Sequence, residues 1–237
     1  AAAYAALGVP LVLSLAAWPA LASLRFLVVA LAAILSVAGT MLLLARDGRP
    51  VSGANDDASG LAAVLAAAGE HAVRPLEQTN LEVLVTGAAE VGPWGVRRFT
   101  RRFGKHYLRE RTYILDVSSV GRGEFAALER EGLLVSTPGD PELVQAVKAA
   151  ARHEGYRHVK AELAMPGDGH FARLRGWKAA TLVALERGRI PDHHCEADAL
   201  PRIDPLQIEA AARLVIGTTR ELDRMDMPAV ARRRTIR

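Results

Sequence analysis

The chain has 237 residues, half of them hydrophobic and 5% aromatic, with a formal charge of +4. That length holds one large domain, or one domain plus an appendage, and the single cysteine, Cys195, excludes an intramolecular disulfide and a thiolate zinc cluster. The net charge is modest and only 5% of residues are aromatic, so the composition points away from nucleic acid as a partner.

Residues 1–24 carry no charge, and neither do the twenty residues from Phe26 to Ala45. The second run makes about 30 Å of helix, the thickness of one bilayer core. Together the two runs predict a transmembrane helical hairpin over residues 1–46, in contact with lipid and integral to a bacterial-type membrane. Trp18 and Arg25 would sit near one interface and Arg46 near the other. A buried Ala-rich core helix is the competing reading. The chain starts with Ala and is apolar at once, as expected of a piece whose N-terminal part lies upstream.

After Arg46 the pattern becomes alternating α/β, and residues 51–225 are expected to form one domain. Ala58–Ala72 predicts a helix, Leu81–Thr86 a strand and Pro93–Phe103 a helix with proline in its first turn. Thr112–Val117 predicts a buried strand, and Phe125–Glu129 with Gly132–Ser136 a short hairpin. Asp140–His153 predicts a helix, Ala179–Leu185 a strand and Asp204–Leu222 an amphipathic helix. Strands separated by helices predict a mostly parallel central sheet flanked by helices. Residues 226–237 form a basic tail ending RRRTIR, which reads as a solvated end or as a contact for anionic lipid.

Four polar clusters fall where an open α/β sheet would place a site, at strand ends and helix entries. They are Gly53–Gly60 (GANDDASG), Thr86–Gly92 (TGAAEVG), Ser118–Gly123 (SSVGRG) and His193–Asp198 (HHCEAD). Alone, Asp56 and Asp57 before a helix read as caps. Carboxylates and an imidazole from separate loops can instead converge on a divalent metal such as zinc.

In their order these clusters resemble those of the co-catalytic zinc exopeptidases of the bacterial leucyl aminopeptidase and glutamate carboxypeptidase type, metallopeptidase family 28. The resemblance covers about residues 51–222. Gly53–Gly60 looks like the family's Gly-Ala-x-Asp-Asn-Ala-Ser-Gly block, whose aspartate bridges two zinc ions; Asp56 holds that position and Asp57 stands where Asn is usual. Thr86–Gly95 resembles a block whose first glutamate is the general base and whose second is a zinc ligand; here these positions are Ala89 and Glu90. An ungapped match on Gly121 puts Ser118 where a further aspartate ligand is expected. Asp168–Gly176 resembles the loop and helix near the substrate pocket, which assigns Asp168 and His170 to it. His194 and Asp198 resemble the closing His-x-x-x-Asp block, whose histidine is the last ligand. The family's earlier His-x-Asp strand motif does not occur before Asp56; in some membrane-inserted relatives, apolar helices separate the two.

The resemblance implies a zinc-dependent exopeptidase fold with one or two zinc ions held by Asp56, Glu90 and His194. Peptide or amino-acyl compounds would be the substrates, and Asp57 and Asp198 would support the ligands, Asp198 by holding the His194 imidazole or, alternatively, only capping the approach to the last helix. The departures imply impaired catalysis. Ala89 cannot accept a proton, and general acid–base catalysis contributes about 10²–10⁴-fold, roughly 3–5 kcal/mol of barrier. Ser118 is a poor zinc ligand beside a carboxylate. Asp116 could replace it only with a backbone shift, and Glu82 is too distant to act as base. The alternative function is a non-catalytic peptidase-like binding or assembly module. Cys195 beside His194 lacks an orienting acid, so no nucleophile pair is expected.

Overall fold

The computed structural model describes residues 22–45, 50–157 and 159–226. The chain forms two compact units, Ala1–Pro50 and Val51–Arg237.

In the first unit, α1 spans Ala22–Ala45. It contains an 18-residue stretch, Arg25–Leu42, of mean hydropathy 2.1, and by length and composition it can cross a bilayer. Many of its large side chains are exposed, Phe26 at 78% and Leu42 at 74% among them. The first arm of the expected hairpin lies outside the described residues, as does the basic tail from residue 227.

The second unit is a mixed α/β fold. After an irregular turn over Ala54–Ser59 come α2 (Gly60–Val73), α3 (Trp94–Arg102), β1 (Tyr113–Val117), β2 (Glu124–Glu131) and β3 (Thr137–Pro138). Then follow α4 (Pro141–His153), β4 (Ala161–Leu163), α5 (Asp168–Arg173), β5 (Lys178–Leu185) and α6 (Pro205–Asp226). The strand order is β1-β5-β2-β3, with β4 also on β2. β5 is parallel to β1, and β4 to β2, whereas β2 is antiparallel to both β5 and β3. The expectation of a mostly parallel sheet is therefore corrected to a mixed one. β2 follows β1 through a short turn at Ser118–Gly123, too short for the helical crossover that would let it run parallel to β1, and it pairs antiparallel with β5.

Side chains alternate across β5 as a sheet buried on both faces requires. Ala180, Leu182 and Ala184 point into the larger core, with Ala63 and Ala67 of α2, Leu143 and Val147 of α4, and Ala211 and Leu214 of α6. Ala179 faces Val96 of α3 and Ala172 of α5, while Val183 and Leu185 meet Ala126 and Leu128 of β2. The start of α4 follows from its sequence: the Asp140 side chain accepts from the N–H groups of Glu142 and Leu143, with Pro141 in the first turn.

Two predicted strands are corrected. Leu81–Thr86 forms no ladder, because β1 pairs only with β5 among the described residues, and Leu81, Val83, Leu84 and Val85 stay 38–63% exposed. Alternating side chains do not make a strand without a partner edge and a layer to pack on. Gly132–Ser136 is a loop: Gly132 turns at φ 125°, and β2 pairs instead with Thr137–Pro138.

Candidate metal centre

Because β1 and β5 run parallel, their carboxyl ends lie side by side, Val117 opposite Leu182. The loops that leave them therefore share one edge of the sheet with the Ala54–Ser59 turn. Three consecutive N–H groups of the first loop hold that turn. Ser119 N–H donates to Asp57 Oδ1 at 2.9 Å, Val120 N–H to Ser59 Oγ at 2.9 Å and Gly121 N–H to Asn55 Oδ1 at 2.9 Å. Asn55, Asp57 and Ser59 are thus committed to the backbone, and Asp56 is left to face the second loop.

That second loop supplies two imidazoles. Asp192 (φ 54°) and His194 (φ 55°) both adopt left-handed backbone, uncommon for residues other than glycine. The turns bring the neighbouring His193 and His194 rings to the same side, stacked with centroids 3.6 Å apart. His193 Nδ1 is 2.7 Å from Asp56 Oδ2, and His194 Nε2 is 3.7 Å from the same oxygen. Glu90 Oε2 is 2.6 Å from His194 Nε2. Donor atoms of Asp56, His193 and His194 all lie within 4.8 Å of one another. Asp56 is the enclosed end, with 12% of its side chain exposed, and Glu90 the open end at 60%.

His193 has a further property. Its Nδ1 is shielded from solvent yet has no hydrogen-bond partner, because the short approach to Asp56 lacks hydrogen-bond geometry. Its Nε2 lies 3.2 Å from the Met165 sulfur. A thioether carries no proton, so that contact is a hydrogen bond only with a proton on Nε2; in the neutral imidazole Nδ1 then carries a lone pair facing a carboxylate oxygen. Two lone pairs at this separation repel unless they share a cation. Zinc accepts this mixture of imidazole nitrogen and carboxylate oxygen, so the residues present fit a zinc ion. The sequence singled out His194 through its spacing to Asp198 and passed over His193; the adjacent His-His pair was the only signal.

The structure thus brings together Asp56, Glu90 and His194, and adds His193. Ser118 Oγ meets only Ser119 Oγ, at 3.4 Å, and it is Ser119 that donates to Asp56 Oδ1, at 3.2 Å. Asp116 is engaged by α5, where its Oδ2 accepts from Gly169 N–H at 2.9 Å. Burial, with the Glu131 carboxylate beside it, raises the Asp116 pKa to about 7. The Asp57 residue is exposed overall, but desolvation of its carboxyl group raises its pKa to about 8. Glu82 accepts from the Tyr107 hydroxyl at 2.6 Å. Asp168, its pKa raised by burial, accepts from Thr86 Oγ1 at 2.6 Å and so ties the segment before Glu90 to α5. His170 is 4% exposed and bonds Thr137 Oγ1 at 2.9 Å, which places it in the packing under β3. The Cys195 thiol is directed to the Asp192 carbonyl, not to His194.

Asp198 corrects an expectation. Its carboxylate does not hold the His194 imidazole; it accepts from the N–H groups of Asn55 at 2.5 Å and Asp56 at 3.1 Å. It therefore sets the Asp56 loop against the histidine loop through the backbone.

Comparison with known proteins bears on the family and the fold. The model of the family described as peptidase family M28 matches residues 36–219. No curated protein matches the chain. Among solved structures, the LapA aminopeptidase of Legionella pneumophila is similar at TM-score 0.59 and 16% identity, over 75% of this chain and 47% of that one. The aminopeptidase of Aneurinibacillus sp. strain AM-1 is similar at TM-score 0.55 and 19% identity, over 71% of this chain and 39% of that one. The zinc aminopeptidase BSAP of Bacillus subtilis is similar at TM-score 0.54 and 19% identity, over 74% and 44%. The chain thus spans less than half the length of each of these three structures. With the family model matched over most of its length, the chain belongs to peptidase family M28, the co-catalytic zinc exopeptidases.

Proposed function

We propose that the α/β unit is a peptidase-like module of a membrane protein that holds one zinc ion and has lost most or all hydrolytic power. The observation that carries this reading is the set of donor atoms on Asp56, His193 and His194, all within 4.8 Å of one another, with Glu90 against His194. A bound zinc ion would supply Lewis acidity, polarising a peptide carbonyl and acidifying a bound water. Asp56, His193 and His194 would hold the ion, Asp56 offsetting part of its charge, with Glu90 beside His194 on the exposed side. His193 compensates for the ligand that Ser118 cannot provide.

Proton transfer is what the chain lacks. Ala89 has no acceptor, and the nearby carboxylates are committed elsewhere: Asp57 to Ser119, Glu82 to Tyr107 and Asp116 to Gly169. Binding of a peptide or amino-acyl compound at the zinc ion remains chemically available without that step. An active exopeptidase is the second reading, favoured by the zinc aminopeptidase among the similar structures.

Zinc analysis of the purified protein tests both. One zinc ion per chain is expected, and two would contradict the single-ion reading. His193→Phe should weaken zinc binding by about 100-fold or more, above the loss typical of a residue that merely orients a ligand. Leucyl-anilide substrates with added zinc should show little or no turnover. Clear turnover abolished by Glu90→Gln would overturn the silent reading.

A further inference from the structure

A second surface, built by α3 and the turns after it, is not used by the metal centre. Residues 94–111 carry Arg97, Arg98, Arg101, Arg102, Lys105, Arg109 and Arg111 against one acid, Glu110. Their net charge of +6 exceeds the +4 of the whole chain, so the remainder is net −2. At about 100° per residue, Trp94, Arg97, Arg98, Arg101 and Arg102 share one arc of α3 about 140° wide. Val96 and Thr100, both buried, occupy the opposite side.

Among the described residues none of the seven cations pairs with a carboxylate. Their contacts are with rings: Arg97 over Trp94 at 5.0 Å, Arg102 over Phe103 at 5.4 Å and Arg109 over Trp177 at 5.4 Å. Like charges four residues apart, such as Arg97 with Arg101 and Arg98 with Arg102, destabilise a helix unless an anion faces them. Large apolar groups are interspersed and open to solvent: Trp94 at 55%, Phe103 at 43% and Leu108 at 61% exposure.

We propose that this face docks on a membrane surface bearing anionic lipid headgroups. Arginine and tryptophan both partition to the headgroup layer, where the guanidinium meets phosphate and the indole stays half in hydrocarbon. Each cation near an anionic surface strengthens binding about fivefold, so seven are ample. A bilayer is also the partner that α1 is long and apolar enough to enter.

The experiment is amide hydrogen exchange on the full chain reconstituted with phosphatidylcholine alone and with phosphatidylcholine mixed with phosphatidylglycerol. Residues 94–111 should be protected only with the anionic lipid, and the protection should vanish in about 1 M salt, where the Debye length is about 3 Å. Charge reversal at Arg98→Glu, Arg101→Glu and Arg102→Glu should weaken surface association about a hundredfold or more and abolish protection. The triple lysine variant at the same positions should retain it, and unchanged exchange in β5 shows that the fold stands. Equal exchange in the two lipids, or protection by an added oligonucleotide in place of anionic lipid, would overturn the proposal.

Discussion

Asp57 turns its Oδ1 onto the Ser119 N–H at 2.9 Å while Asp56, one residue earlier, faces His193 at 2.7 Å. Two adjacent carboxylates thus do different work, one fastening the loop to β1 and one facing the candidate metal position. Asp116 shows what a carboxylate does when it is committed to neither. It is buried beside Glu131, and its pKa of about 7 lies well above the 3.8 of an unfolded chain. The folded protein then holds a proton that the unfolded chain releases between pH 4 and 7. This contribution is fully present below about pH 4 and is lost as pH rises through about 7. Asp116→Asn keeps an acceptor for the Gly169 N–H and removes the charge. The variant should match the parent near pH 4 and exceed it in stability at pH 7.5, by up to about 4 kcal/mol. Denaturant unfolding across that pH range measures the difference, and parallel curves for the two proteins would refute this account of Asp116.

At the scale of elements, the site depends on how closely the Asp56 turn lies on β1. Gly60 opens α2 where an added Cβ would run into the Val117 carbonyl and sit 2.5 Å from Asp57 Oδ1. Gly60→Ala should therefore cost about 2–3 kcal/mol, because backbone and not a flexible side chain must yield. Gly69, on the same helix, has open space around it, and Gly69→Ala should stabilise by about 1 kcal/mol. Opposite signs from one helix in thermal unfolding would establish the close approach; equal effects would refute it. The same contrast explains what the sequence made legible. Helices α4 and α6 and strand β5 are announced by their apolar periodicity, because each buries its own pattern. β4 has three residues and exists through its pairing with β2, so no local pattern marks it. Leu81–Thr86 carries the pattern without the partner. In the centre, Asp56, Glu90 and His194 are legible from motif order. His193 is not, because what aims it is the left-handed backbone at Asp192 and His194. The role of Asp198 was hidden similarly, since its partners are backbone N–H groups more than 140 residues away.

For the whole molecule, the two units differ in where their apolar side chains lie. In the α/β unit, apolar side chains such as Leu182 and Leu214 are fully buried, whereas α1 leaves Leu27, Ile34 and Leu42 at 62–74% exposure. Moving such side chains from water into hydrocarbon gains roughly 1.5–3 kcal/mol each. Over the 18 residues from Arg25 to Leu42 this far exceeds what an unpartnered helix in water could sustain. A bilayer satisfies the whole surface of α1 at once, and its backbone is already hydrogen-bonded within the helix. The full chain should accordingly stay with the membrane fraction through high salt and alkaline carbonate, and leave it only with detergent. High salt would screen the lipid contacts proposed for the basic α3 face, so retention at that step would isolate the contribution of α1. Recovery in the supernatant without detergent would mean that α1 packs against protein and does not span lipid.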